Sequence, residues 1–347
     1  MLTPVTDPPS TPALQRPDAL DVGIIELLEE DGRMPAAQMA ERLGVSDDVV
    51  RERLRVLRET EMVQVLGCLV PSAQGLPHLV VLGLQLRGDV RPTLEQLAAI
   101  DEIIWLSCVD GRFDVFAELT CRDAAQAFEI VNERIRSIEA VLSCEVFTHL
   151  ATTTWREAPG ATNPHHHDQH AVPRLDEVDI RLAELLTLDG RATYRELSQA
   201  TGISYDVVRR RVPKLIANGA LQPVIVVDRR ISGRSRVATV GIKVSGPVPP
   251  VLELVGQLPD VNLVYFTTGS FDIICSVACR DIDHLAQVVG TQLREIPGVA
   301  TTETFNLLHV AKRPPFWAAL PPTDHAAAFT PTTSHHTPLL EVVGGRS

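Results

Sequence analysis

Apolar residues near the start of the chain recur at helical spacing. Leu20, Ile24, Leu27 and Leu28 stand at i, i+4, i+7 and i+8, one stripe along a helix face. Val178, Leu182, Leu185 and Leu186 repeat the stripe downstream. Asp31-Gly32-Arg33 and Asp189-Gly190-Arg191 follow, and the glycine predicts the helix end. A short second helix comes next, opening on the capping-box pattern Thr193-Tyr194-Arg195-Glu196 in one place and on Pro35 in the other. Leu43-Gly44-Val45-Ser46 and Thr201-Gly202-Ile203-Ser204 predict tight turns, with Ser46 and Ser204 as N-caps of a third helix. Two short helices joined by a glycine turn predict a helix-turn-helix.

The period then drops to two. Val80, Leu82, Leu84 and Leu86 alternate with other residues, as do Ala238, Val240, Ile242 and Val244, which predicts strands with one apolar face. Gly83 and Gly241 lie on the opposite face and predict close approach by another element, read as the facing sheet of the other copy. A helix follows, marked by Leu94 and Leu97, or by Leu252 and Val255. Then come a strand at Ile103–Val109, a Gly-x-Phe-Asp turn, a strand at Val115–Cys121, a helix from Asp123 and a last strand at Val141–Leu150. The order βαββαβ predicts a ferredoxin-like sandwich.

Everything in this pattern occurs twice in one register. A shift of 158 positions, without a gap, places Asp31 on Asp189, Val49-Val50-Arg51 on Val207-Val208-Arg209, Gly111 on Gly269 and Cys121-Arg122-Asp123 on Cys279-Arg280-Asp281. The expected fold is α+β, in two tandem copies. Expected boundaries are 18–70 and 175–228 for the helix-turn-helix units and 76–155 and 234–313 for the βαββαβ domains. Residues 156–174 read as a linker and 314–347 as a disordered tail.

Composition adds limits. Aromatic residues make up 4% of the chain against 45% hydrophobic, so the cores are mainly aliphatic. No apolar run approaches the roughly 20 residues of a membrane span, so no membrane association is expected. The Pro- and Thr-rich start has no secretory pattern, and the expected location is cytoplasmic, at the nucleoid. The six cysteines form no C-x-x-C pair and read as buried thiols. His165-His166-His167 and His170 lie in the linker without a companion Cys or carboxylate set, so no metal and no cofactor is expected. A net charge of −12 argues against nucleic acid unless charge is locally concentrated.

Leu175-Asp176-x-x-Asp179, Asp189-Gly190-Arg191, Gly202-Ile203-Ser204, Arg210-Arg211-Val212, Gly269-x-x-Asp272 and Ile296-Pro297-Gly298-Val299 resemble the Lrp/AsnC family of feast/famine regulators. The first copy matches more loosely, with Ile138-Glu139-Ala140-Val141 in place of the Pro-Gly segment. The resemblance implies a winged helix-turn-helix that binds double-stranded DNA. It also implies an ACT-like effector domain that self-associates through its sheet and binds a small molecule, often an amino acid. Ordinary members carry one copy, so this chain resembles a fused dimer.

The third helix is the expected DNA reader. In copy two, Ser204, Tyr205, Arg209, Arg210 and Lys214 fall on the face away from Val208, Val212 and Leu215. In copy one the candidates are Ser46, Arg51 and Arg55. Arg53 and Arg211 read as structural, paired to a carboxylate of the first helix. Residues Ser204–Ile216 carry a net charge of +3 and Ser46–Arg58 of +1, with Asp47 and Asp48 where that helix would meet the groove. Copy two is therefore expected to be the main reader. Pro213 predicts a kinked or shortened helix. Gly111, Asp114, Gly269 and Asp272 are the candidate effector residues, with no catalytic residues expected. Two other readings stay open. Sirohaem decarboxylases share this architecture and would need a pocket of His and Arg groups, whereas His78, His149, His284 and His309 are scattered along the chain; alternatively, the acidic copy one fits a regulator that acts through protein contacts alone.

Overall fold

The computed structural model describes residues 17–155, 175–227, 234 and 236–313. The expected linker, its histidine run, the tail and the N-terminal segment lie outside the described residues.

Each copy opens with three helices: α1 (Ala19–Glu30), α2 (Ala36–Leu43) and α3 (Asp47–Glu59), and then α6 (Glu177–Leu188), α7 (Tyr194–Thr201) and α8 (Tyr205–Ala217). Asp18 caps α1, accepting from the Leu20 and Asp21 amides, while the Asp21 carboxylate accepts the Asp18 N–H. Asp176 and Asp179 repeat this box on α6. Thr193 and Glu196 form the box expected on α7. Gly44 and Gly202 close α2 and α7 in the left-handed conformation, at φ 69° and 71°.

Two local expectations fail. Ser46 and Ser204 stand at the N-cap positions, but neither side chain bonds to its helix. Gly32 and Gly190 do not end their helices in a left-handed turn; Asp31 and Asp189 cap them in extended conformation. The glycines are needed for space instead. A Cβ on Gly190 would lie 2.8 Å from the Leu66 carbonyl carbon, and one on Gly32 would lie 3.1 Å from Pro223 Cβ and Val65 Cγ1.

Leu66 and Pro223 belong to the strands that follow the helices, β1 (Val63–Leu69) and β6 (Leu221–Val227). Neither folds into a wing hairpin of its own copy. They pair antiparallel with each other, Leu66 opposite Val224. This corrects the winged reading: the ribbon joins the copies. Ile225 enters the core of the copy-one helices, and Val70 and Ala73 enter that of copy two.

The βαββαβ domains are β2 (His78–Leu86), α4 (Val90–Ala98), β3 (Ile103–Val109), β4 (Val115–Cys121), α5 (Ala124–Glu129) and β5 (Val141–Trp155), then β7 (Arg236–Val244), α9 (Val248–Gln257), β8 (Val261–Thr268), β9 (Ile273–Cys279), α10 (Ile282–Gln287) and β10 (Val299–Lys312). α5 and α10 each run on into a π-helical turn. The last strand of each copy is longer than the pattern indicated. β5 pairs with β2 of its own copy and then with β8, and β10 pairs with β7 and then with β3. The eight strands close into one barrel, β10-β3-β4-β2-β5-β8-β9-β7.

Three layers follow. Helices pack on the outer face of each half-barrel around two aliphatic cores. Between the sheets lies an interior cluster drawn from both copies, including Phe113, Phe116, Phe147, Tyr265, Phe271 and Phe305. The two sheets do face one another. Gly83 and Gly241 have a nearer cause, however: a Cβ there would lie 2.8 Å from the Phe113 ring and 2.5 Å from the Phe271 ring, each in the same copy as its glycine. All six cysteines are buried and unbridged. No described helix is long and apolar enough to cross a membrane.

Candidate nucleic-acid interface and effector turns

The α3 and α8 helices sit on similar cores and present different faces. On α8, Val208, Val212 and Leu215 are buried and Val207 half-buried. Ser204, Tyr205, Arg209, Arg210 and Lys214 are exposed, with Tyr205 at 49%. Among the described residues, Arg209, Arg210 and Lys214 have no ion-pair partner. Their charge is available to an incoming anion. The helix runs unbroken through Pro213, which is exposed. Pro213 withholds the N–H that the Arg209 carbonyl would otherwise accept, yet Lys214 keeps its place on the open face.

On α3 the cations are already used. Arg51 pairs with Asp47 at 2.6 Å, and Arg55 lies 2.6 Å from Glu52 and also pairs with Glu59. The Glu52 and Glu59 bonds hold the Arg55 guanidinium well above its usual value, and burial hardly opposes them. Ser46 is exposed at the start of this helix. The difference between the copies is larger than net charge indicated, because the acids sit one helical turn from the arginines they neutralise.

Arg53 and Arg211 are structural, as their position implied. Arg211 lies 2.8 Å from Asp176 and 3.2 Å from Asp179. Arg53 pairs with Asp18 and lies 3.6 Å from Asp21. Each ties a recognition helix to the N-cap of its own first helix. The amide of Asp179 and, to a lesser degree, Arg211 hold the Asp176 carboxyl below the usual range.

A contact between the helix-turn-helix units escaped the sequence. Arg33 donates to the Gly190 carbonyl and, at 2.9 Å, to that of Ala192. Arg191 donates to the Gly32 and Met34 carbonyls at 2.7 and 2.9 Å. With the β1–β6 ribbon this exchange fixes the spacing of α3 and α8. The sequence signal was the repeated Asp-Gly-Arg, legible only as a helix end.

At the two candidate effector turns Gly111 and Gly269 have positive φ, 101° and 134°, as expected. Asp114 and Asp272 lie partly buried beside them and are engaged locally. Asp114 Oδ2 accepts the Leu86 N–H at 2.7 Å, and Asp272 Oδ2 accepts the Val244 N–H at 2.8 Å. Lys243 Nζ also donates to Asp272 Oδ1 at 3.0 Å. The matching residue in copy one is Gln85, which donates to the Arg112 carbonyl instead. Asp114 Oδ1 therefore has no hydrogen-bond partner among the described residues. An open hollow of about 620 Å³, lined in part by Arg87, Asp89, Gln96 and Glu139, does not include either turn. The four histidines do not form one cluster, although His78 neighbours His149. His149 Nε2 lies 2.7 Å from Thr152 Oγ1 and burial pushes its pKa down to about 4, while His284 faces Asp260 at 3.1 Å.

Comparison with known proteins agrees with this division. The AsnC-type helix-turn-helix domain matches residues 18–58 and 175–216, and the Lrp/AsnC ligand binding domain matches 79–157 and 237–315. An uncharacterized HTH-type transcriptional regulator of Pyrococcus abyssi is 32% identical over 141 residues, which is 40% of this chain and 89% of the relative. The HTH-type transcriptional regulator LysM of Saccharolobus solfataricus is 26% identical over 135 residues, 39% of this chain and 94% of the relative. Nearly the whole of each relative thus corresponds to one copy. Among solved structures, the sirohaem decarboxylase NirDL overlaps 85% of this chain and 93% of its own at a TM-score of 0.60 and 12% identity, a likeness of fold. With both modules matched twice over most of its described length, the chain belongs to the Lrp/AsnC family of DNA-binding transcriptional regulators, with the family's two-domain unit duplicated.

Proposed function

We propose that the protein reads an operator made of two unlike half-sites, chiefly through α8. The carrying observation is the contrast between the unpaired Arg209, Arg210 and Lys214 and the self-paired Arg51 and Arg55. Free guanidinium groups reach phosphates and base edges and release counterions; an arginine already bound to a carboxylate must first give up that partner. Ser204 and Tyr205, at the start of α8, stand where such a helix enters the major groove. Ser46, Arg51 and Arg55 make the weaker contacts. Arg209→Ala with Arg210→Ala is expected to weaken binding to a site selected from random DNA by more than about tenfold and to flatten the salt slope by about one unit per contact. Arg51→Ala should leave affinity within about threefold. Equal losses from both helices, with a palindromic selected site, would count against this reading.

The effector half takes a small amino acid or related acid at the Gly111–Asp114 turn in preference to the Gly269–Asp272 turn. Asp114 keeps one carboxylate oxygen for an ammonium group, whereas Lys243 already holds the place of that ammonium at Asp272. An amino-acid screen by thermal shift, repeated with Asp114→Asn and Asp272→Asn, tests this: loss of the shift only with the first supports it. Pairing between chains through outer surfaces would extend the family's self-association, and the cytoplasm is the compartment where such a regulator works. A non-enzymatic role fits the scattered histidines, and a Soret band in the purified protein would turn the assignment toward tetrapyrrole chemistry.

A further inference from the structure

The barrel joins two copies of one fold, yet its interface is not built from duplicate contacts. Pairing of identical halves makes every contact twice, residue i to j and j to i. Here five pairs of positions related by the repeat have diverged: Asp110 and Thr268, Arg112 and Ser270, Glu118 and Ser276, Ser107 and Tyr265, Thr148 and Asn306, while Glu145 and Glu303 have stayed the same. Each polar contact among them is made once.

Arg112 is the centre of this asymmetry. Its guanidinium donates to Glu145 at 3.2 Å, to Glu303 at 3.3 Å and to Ser270 Oγ at 3.0 Å. It also stands over both turn phenylalanines, 4.5 Å from the Phe113 ring centre and 5.1 Å from that of Phe271. It thus touches both members of the glutamate pair, both phenylalanines and its own counterpart. Such a position lies on the pseudo-twofold axis, where there is room for one long side chain and not for two.

The seams show the same division. Where β3 meets β10, Asp110 accepts the Asn306 backbone N–H at 2.6 Å and its Nδ2 at 2.7 Å. At the equivalent place between β5 and β8, Thr148 stands in register with Thr268. The Tyr265 hydroxyl donates to Glu118 across the copies at 3.3 Å, and the matching positions hold the small Ser107 and Ser276.

We infer that the effector-domain interface is a heterotypic recognition surface: it accepts a copy-one domain against a copy-two domain and rejects two like copies, with Arg112 as the selecting residue. Two copy-one domains would bring two guanidinium groups to one point. Two copy-two domains would set two Glu303 carboxylates together with no cation between them. Both arrangements are disfavoured by like charge, and the first by volume as well. The partner this surface fits is the other half of the same chain. A single-copy relative, whose surface must complement itself, does not fit it.

Single substitutions in the full chain make the axis homotypic in either sense. Arg112→Ser leaves the glutamate pair without its cation, and Ser270→Arg adds a second guanidinium. Each is expected to lower the unfolding midpoint by about 3 °C or more. The double variant Arg112→Ser with Ser270→Arg puts one arginine back on the axis from the opposite copy, and its midpoint should return close to that of the parent. If Ser270→Arg alone fails to fold while the double variant folds, the inference is supported equally. The deficit of Arg112→Ser should also shrink as salt rises toward about 1 M, where repulsion between the carboxylates is screened. A double variant that loses the sum of the two single losses, or an Arg112→Ser midpoint equal to the parent's at low salt, would overturn it.

Discussion

Arg53 and Arg211 hold equivalent places and bind equivalent carboxylates, but some side chains at the repeat's matched positions have separate roles. His149, at the position of Leu307, is one. Burial first, and the neighbouring His78 second, push its pKa from 6.5 down to about 4. The folded protein therefore binds this proton only near pH 4, while the unfolded chain binds it near 6.5. Between those values the unfolded state holds more protons, so the His149 contribution is present above pH 6.5 and is lost as pH falls toward 4. His149→Gln, which keeps a polar group for Thr152 and does not titrate, should reduce the fall in unfolding midpoint across that window. A series of melts from pH 7 to pH 4 with equal slopes for the two proteins would show that His149 does not govern it. The sequence names His149 only as one of four scattered histidines; its burial comes from the barrel and the Tyr265 ring 5.2 Å away.

At the scale of elements, the two recognition helices differ by what their own acids do. Asp47 holds Arg51, and Glu52 and Glu59 hold Arg55, along the helix surface, in exposed pairs whose contribution to stability is small. Releasing those arginines should cost little folding stability and add to DNA affinity. Asp47→Asn with Glu52→Gln and Glu59→Gln is expected to tighten binding and to steepen the salt slope by about one to two units. Unchanged salt dependence would mean that α3 does not approach the phosphates. The pattern of helices and strands was legible because it is set by local periodicity: α1, α2, α3 and their copies, and β3 and β4, stand where the apolar spacing put them. The strands that depart from expectation depend on distant partners. β5 and β10 continue past their own sheet because a strand of the other copy extends the hydrogen-bond ladder. β1 and β6 forgo a wing for the same reason.

For the whole molecule, a ribbon, two barrel seams and the Arg33–Arg191 exchange join the copies. Pairing that a single-copy protein achieves between chains is here intramolecular, and a tether gives it an effective concentration near the millimolar range. The unfolding midpoint and the mass of the basic unit should hold through a roughly hundredfold dilution, whereas any association between chains should weaken by mass action. Sedimentation and melting across that range check this, and a midpoint that falls with dilution would show that pairing between chains contributes to the fold.

The sequence by itself determined the duplication, the α+β class, the order of elements and the basic face of α8, since each is written in residue spacing within one copy. It also singled out Gly83, Gly241, Gly111 and Gly269 as positions with special backbone needs, although it could not say what approached them. Only the tertiary structure decided that Phe113 and Phe271 fill the space beside Gly83 and Gly241, that Gly190 lies against the Leu66 backbone, that Asp114 and Asp272 accept from the neighbouring strand of their own copy, and that one arginine serves both copies. The physical reason is the same in each case. These contacts join residues far apart along the chain, and their partners are chosen by packing across the pseudo-twofold axis, which local periodicity does not encode.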